Sequence, residues 1–428
     1  MSSGRHNTDD TVEVDLTETR APHSTAQTAP PRPLASSTNG LPPQATENTD
    51  KPAASCPERH EPNRESLSSS ATYLYTISYL VFFSIFGTLA RLGLQAVTFY
   101  PGAPVVTGVL WANVGGSFIM GFFIEDTRIF REEWGNPRKS HDPSIESARH
   151  KAAKKTIPLY IGLTTGFCGS FTSFSSFIRD IFLALSNDIP DSSNTNSIHP
   201  RNGGYSVMAL LAVILTQVSL SLSALIAGSH LALALNHLHL PPALSFRLTR
   251  RISDPLVVFL AWGCWIGCIF LAVFPPKNNW RGRVVFAIVF APLGCLLRYY
   301  ISLALNSRIP KFPLGTFIIN ILGTIILSMC YDLQHVDGIG ASSPAIPTLD
   351  SSASILVSCQ ILQGVMDGFC GSATTVSTWV AEMNGLKRRR HAYIYGCVSV
   401  FVALGFFVVI SGSLRWTVGF GRPVCEQG

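Results

Sequence analysis

The residues best suited to chemistry in this sequence come in pairs. Thr165 to Phe177 reads TGFCGSFTSFSSF and Asp367 to Trp379 reads DGFCGSATTVSTW, 202 residues further on. Each stretch places two glycines, a cysteine and several hydroxyls inside apolar sequence. Gly and Ser/Thr are weak helix formers. In a buried apolar helix they mark a place where the helix can open, provided the freed main-chain groups find partners. The hydroxyls of Thr172, Ser173, Ser176, Thr374, Thr375, Ser377 and Thr378 could then line a polar path. Tight packing of small residues is the other reading that the motif alone leaves open.

Further polar residues stand in apolar surroundings, where they are costly and usually face the protein interior. Asn113 and Asn320 each offer two amide hydrogens, for an interhelical bond or for a polar ligand. Arg91 and Arg298 face either a water-filled vestibule or, by snorkelling, the interface. Ser219 and Ser223 are four apart, on one face of a helix, as a weak polar track or as plain packing. Phe171 and Phe174, three apart, are expected to share a helix face, and their electropositive ring edges could meet an anion. Asp180, Asp367 and Glu382 fall near the ends of apolar segments and read as interfacial or structural.

The elements that position these residues are long apolar segments. Charged residues make up 14% of the 428, well below the ~25% of ordinary domains. A helix crosses a bilayer with about 20 apolar residues, and nine segments qualify: 73–99, 105–124, 157–183, 207–236, 256–274, 282–304, 314–332, 353–382 and 392–413. Residues 1–72 are rich in Ser, Thr, Pro and charge, the composition of a disordered tail, and hold no signal-peptide pattern. The net charge of +6 comes from loops between spans and is no sign of nucleic-acid binding. The ten cysteines are scattered, mostly within spans, and read as packing residues without a disulfide framework.

Lys and Arg favour cytoplasmic loops. With the N-terminus inside, the loops on that side hold 17 Lys and Arg and those outside hold 5. The segment 256–274 is needed for this balance, because without it Lys387-Arg388-Arg389-Arg390 would fall outside. It also has no counterpart in the repeat. The repeat extends beyond the opening motif: Gly87-x-x-x-Arg91 matches Gly294-x-x-x-Arg298, and Gly108-x-x-x-x-Asn113-x-x-Gly116 matches Gly315-x-x-x-x-Asn320-x-x-Gly323. Arg to Asn is 22 residues in both halves. The expected fold is an all-α integral membrane protein with two antiparallel four-helix units (73–236 and 282–413) and a broken third helix in each. A loop and linker helix (237–281) joins them, and a short tail (414–428) follows. Such an inverted repeat places a transport site between its halves, near the bilayer midplane.

The motif set resembles the fluoride channel family, called Fluc or CrcB in bacteria, and its fused form looks like the fungal fluoride exporters. The resemblance covers residues 73–413 and implies a passive, fluoride-selective channel in the plasma membrane that exports F⁻ and confers fluoride resistance. It further implies a protein that is not an enzyme and acts as a monomer, a pseudo-dimer within one chain, with its C-terminus extracellular. The partners would be fluoride and the lipid bilayer, with no nucleic acid and no organic cofactor. The expected anion pathway comprises Asn113, Asn320, Phe171, Phe174, Thr172, Ser173, Thr374, Thr375, Thr316, Ser219 and Ser223; the resemblance implies that Phe171 and Phe174 contact fluoride, that Thr316 is the family-like residue, and that Arg91 and Arg298 stand in vestibules. The family's structural Na⁺ maps onto the carbonyls of Gly166, Gly169, Gly368 and Gly371. The second half departs from this pattern: Ala373 and Val376 stand where the first has Phe171 and Phe174, while Val109 stands where the second has Thr316. The resemblance thus implies that the aromatic site survives in one half. Two rivals remain: an exporter of another small solute or cation on the same repeat, which would need an acid such as Asp367, and a non-conducting scaffold or sensor.

Overall fold

Away from water a long apolar run folds as a helix, the one local structure that satisfies its own main-chain groups. The computed structural model describes residues 69–98, 100, 103, 108–130, 143–189, 202–237, 249–274, 284–341 and 349–426. The tail expected over 1–72 lies outside these except for its last four residues, which already belong to the first helix. The helices are α1 (Ser69–Thr98), α2 (Leu110–Glu125) and α3 (Pro143–Lys154), then α4, which opens at Pro158–Ile161, widens to a π-helix over Gly162–Cys168 and closes over Gly169–Phe171. They continue as α5 (Phe174–Ser186), α6 (Gly203–His237), α7 (Asp254–Val273), α8 (Phe286–Leu305) and α9 (Leu314–Gln334). The second broken element is α10, built from Leu349–Gly364, a π-helical Val365–Cys370 and Gly371–Ala373. Then come α11 (Val376–Gly385) and α12 (Arg389–Thr417). Six of these helices are long and apolar enough to cross a membrane, and α2 is a shorter apolar helix. Among the described residues the extended pairings are two isolated bridges, Asp337 with Ala341 and Ala341 with Pro423.

The core gathers residues from both halves, including Phe174, Phe177 and Phe182 on one side and Trp379, Tyr395 and Phe407 on the other. By contrast α7 is a strap. Its buried residues are Asp254 and Ala261. Trp262 Nε1 donates to Ser78 Oγ on α1 (3.2 Å) and Trp265 Nε1 to the Val289 carbonyl on α8 (3.0 Å). At its start Asp254 Oδ1 accepts from the Tyr79 hydroxyl (2.9 Å). The segment without a repeat counterpart therefore ties the first helix of one half to the first helix of the other.

Two features differ from the sequence expectation. The loop 125–156 contains α3, whose Lys154 is buried and donates to the carbonyls of Phe123, Ile124 and Asp126 at 2.6–2.9 Å. It caps the C-terminus of α2, where a cation complements the helix dipole. Burial pulls its ammonium down to about 8, and burial beside Lys154 and Lys151 pulls His150 down to about 4. Second, Cys359 and Cys425 form a disulfide, so the cysteines are not packing residues throughout. A separation of 66 residues and no recurrent spacing gave no sign of the pair. It ties α10 to the short turn Val424–Glu426 after α12.

Candidate functional site

The two motifs open their helices at matched points. Thr172 (φ −94°, ψ 152°) and Ser173 (−141°, 118°) are extended between α4 and α5. Thr374 (−97°, 152°) and Thr375 (−150°, 134°) are extended between α10 and α11. Phe171 and Phe174 therefore do not share a helix face as three-residue spacing suggested: the break falls between them, and an extended pair does not advance like a helical turn. The Phe171 ring lies at Gly115 and Gly116 of α2 and beside Phe167. The Phe174 ring is buried against Trp379 and Phe177, at 5.2 and 5.8 Å between centroids, and its helix packs on α9.

A break in an apolar interior must be satisfied group by group, and the paired residues do this reciprocally. Asn113 Oδ1 accepts the Ser173 amide and Asn320 Oδ1 the Thr375 amide, both at 2.9 Å. Those amides would otherwise serve the carbonyls of Gly169 and Gly371, four residues earlier, so these two carbonyls lose their helical donors. The Asn113 amide nitrogen donates to Gln217 Oε1 (3.1 Å) and to the Ser173 carbonyl (3.4 Å). That of Asn320 donates to the Thr375 carbonyl alone among the described residues (3.3 Å).

The hydroxyls cross between halves. Thr172 Oγ1 accepts the amides of Val376 and Ser377 (3.2 Å each) and lies 3.1 Å from the hydroxyls of Thr375 and Ser377. Thr374 Oγ1 accepts the Ser175 amide (3.0 Å) and lies 3.0 Å from the Ser175 hydroxyl and 3.5 Å from that of Ser173. Ser173 and Thr375 cap α5 and α11, taking the amides of Ser176 (3.2 Å) and Thr378 (3.4 Å), as hydroxyl N-caps do.

Arg91 and Arg298 do not line open vestibules. They are 0% and 2% exposed, with their guanidinium groups on main-chain carbonyls. Arg91 Nε donates to Ser170 (3.2 Å) and its Nη2 to Asp367. Arg298 Nε donates to Ser372 (2.9 Å) and its Nη2 to Thr165 (2.6 Å). Each arginine joins the break of its own half to the motif of the other. A rigid fork of donors suits this, and a buried cation needs it. The motif glycines make the room: a methyl group on Gly169 or Gly371 would overlap the Arg298 or Arg91 guanidinium, and one on Gly87 or Gly294 would overlap the Phe167 or Phe369 carbonyl.

Beyond the breaks the halves diverge. Thr316 Oγ1 donates to Glu382 Oε1 (2.7 Å), Asn306 Nδ2 to the same oxygen (3.1 Å) and the Tyr395 hydroxyl to Oε2 (2.7 Å). At the matching place Asp180 faces Arg179 (3.6 Å) and accepts from the main chain of Val109. Ser219 and Ser223 are exposed, and the inward polar residues of α6 are Gln217 and Ser221. Ser175, Gln217 and the Glu382–Tyr395 pair were missed. Alignment of Ser175 with Ser377 was the available signal for the first. For α6 there was little, since a helix facing lipid is apolar on both sides.

A family model described as CrcB-like protein, Camphor Resistance (CrcB), matches residues 78–229 and 285–413 and leaves α7 between its two copies. Fluoride export protein 1 of Neurospora crassa is 52% identical over 386 residues, covering 85% of this chain and 70% of that protein. Fluoride export protein 1 of Candida albicans is 36% identical over 354 residues, 82% of this chain and 83% of its own length. The fluoride-specific ion channel FluC of Pseudomonas paraeruginosa is 30% identical over 143 residues, which is 98% of its length and 33% of this one. No solved structure matches the chain. With two copies of the family pattern, one on each side of the strap, this chain belongs to the CrcB-like family of multi-pass membrane proteins.

Proposed function

We propose that this chain is a passive, fluoride-selective channel that carries F⁻ out of the cytoplasm, and that it is not an enzyme. The observation that carries the reading is the pair of crossed breaks, where buried hydroxyls and asparagine amides gather inside an apolar helical interior. A small, strongly hydrated anion that sheds water needs compact donors to replace it. The main-chain amides and hydroxyls described at the breaks hold one another, and the Asn320 amide, with one hydrogen unengaged among the described residues, supplies such a donor.

The path runs along α9 past Asn320, whose amide keeps a hydrogen in reserve, with the Phe174 ring flanking it from α5. Thr316, Glu382 and Tyr395 form its polar mouth. On the other side both Asn113 donors are committed, and Val376 stands in place of the aromatic ring. Thr172, Ser173, Thr374 and Thr375 hold the breaks where the two sides meet. Arg91 and Arg298 act there as fixed positive charge, which favours an anion at the midplane.

A structural Na⁺ fits the carbonyls of Gly169 and Gly371, which lose their helical donors to the asparagine caps. Those of Gly166 and Gly368 accept the amides of Gly169 and Gly371 and keep a second lone pair. When bound, the ion would lock the two breaks together and add positive potential beside the path.

Nine crossings and antiparallel halves follow if the nine apolar elements each span and α7 contributes the odd crossing. Reciprocal contacts between the motifs support a twofold relation between halves, and the cation balance of the loops supports N-inside, C-outside. A disulfide at Cys425 supports the C-terminus facing an oxidising compartment, as at a plasma membrane. Because both breaks lie in one chain, a single copy suffices.

The test is fluoride efflux from liposomes holding the purified chain, against chloride under the same gradient. Fluoride efflux with retained chloride is the expected result. Equal efflux of both ions, or of neither, contradicts the reading.

A further inference from the structure

An apolar groove of about 280 Å³ opens between α6, α11 and α12, and none of the extended residues at the breaks lines it. Its walls include Leu215, Leu222, Trp379, Met383 and Phe401, and Asn384 and Arg389 stand at one end. Leu215 and Phe401 are more than half exposed, so the groove faces what surrounds the helices. From Arg389 to Phe401 α12 rises roughly 18 Å, close to the roughly 15 Å hydrocarbon depth of one leaflet.

The Arg389 end carries a dense charge. Lys387, Arg388, Arg389 and Arg390 are consecutive and exposed, and none of them forms an ion pair among the described residues. The nearest acid along the chain, Glu382, is engaged by Thr316, Asn306 and Tyr395. These cations stand at the start of a helix, where its dipole disfavours positive charge, and Arg388 provides no side-chain cap. The matching helix α6 has no such cluster, and Asn202 Oδ1 accepts the Gly204 amide there at 2.7 Å. Arg389 at one end of an acyl-length groove, with three further cations adjoining it in the chain, complements one chemistry, a negatively charged headgroup carrying a hydrocarbon chain.

We propose that this groove is a binding site for an anionic phospholipid, its phosphate on Arg388–Arg390 and one acyl chain lying between α6 and α12. The cation cluster is asymmetric: four cations precede or open α12 in the sequence, whereas Arg201 is the one Lys or Arg in the dozen residues before α6. It requires that the chain be embedded in a membrane and does not depend on which ion is conducted.

Native mass spectrometry of the full purified chain in detergent, titrated with phosphatidylserine or with phosphatidylcholine of the same acyl chains, tests it. Retained phosphatidylserine and little phosphatidylcholine is expected. Replacing the three arginines together (Arg388→Gln, Arg389→Gln, Arg390→Gln) should weaken phosphatidylserine retention at least about tenfold. Filling the groove from either wall, by Cys397→Trp or Leu215→Trp, should also reduce it, whereas Arg308→Gln with Lys311→Gln on another loop should not. Equal retention of both lipids overturns the site, as does phosphatidylserine retention indifferent to both groove fillings.

Discussion

The two helix breaks share their backbone angles and differ in what surrounds them. Each has the same extended pair, an asparagine capping the amide after the break, an arginine on the carbonyl before it and a glycine that admits the other half's arginine. Around that frame the first half has Phe171, Phe174, Phe177, Asp180 and Val109, and the second has Ala373, Val376, Trp379, Glu382 and Thr316. What holds a helix open in apolar surroundings is retained twice, because an unsatisfied main-chain group costs about 1–3 kcal/mol on either side. What surrounds the frame differs between the halves at these five matched positions, and the proposal of a single conducting route rests on that difference.

The largest effect expected from breaking this comparison is at the arginines. Arg91→Gln or Arg298→Gln leaves a pair of buried carbonyls without donors and should cost about 2–5 kcal/mol, seen as a lower unfolding temperature in detergent and poor recovery of folded protein. The two losses should be alike, since each arginine bridges both halves. Next are the caps. Asn113→Ala and Asn320→Ala should each destabilise by about 1–3 kcal/mol, while Asn320→Ala alone should also abolish fluoride efflux in the fraction that folds. Equal efflux from the two variants would remove the asymmetry between sides.

A smaller effect is expected at the mouth. Thr316→Val removes a donor from Glu382 and should lower efflux several-fold, on the order of 1 kcal/mol. The reverse exchange, Val109→Thr, should leave it near the starting value. The smallest lies far from the path. His150 is buried with its protonation pulled down to about 4, so its neutral form is favoured in the fold. Stability from this site is present above the ordinary histidine value of about 6.5 and is lost as pH falls from there toward 4. Protection of the α3 amides, measured as exchange relative to the intrinsic rate at each pH, should therefore fall between pH 7 and 5, and His150→Gln should flatten that dependence.

Much of this frame was legible in the sequence. Apolar length located the helices, and the paired motifs located the breaks, because glycine and hydroxyls in the middle of an apolar run have few other uses. Partner choice was not legible. The carbonyl that Arg91 meets at Asp367 is 276 residues away, and spacing within one half does not predict contacts made with the other. Phe171 and Phe174 were misplaced for a related reason, since a helical period was carried across residues that are extended. That Ser219 and Ser223 are exposed on α6 while Gln217 and Ser221 are buried could not be read from a helix with so little polar contrast to set its phase. The disulfide and the amphipathic α3 lay in connections whose pairing only the folded chain reveals.

The most direct test of the account compares single substitutions at the ring positions in the liposome assay. Phe174→Ala should reduce fluoride efflux about tenfold, the loss of an edge contact worth ~1.5 kcal/mol, while Phe171→Ala and Val376→Ala leave it within about twofold. Undiminished efflux after Phe174→Ala, with loss after Val376→Ala or Phe171→Ala, would place the conducting route on the other side and contradict it.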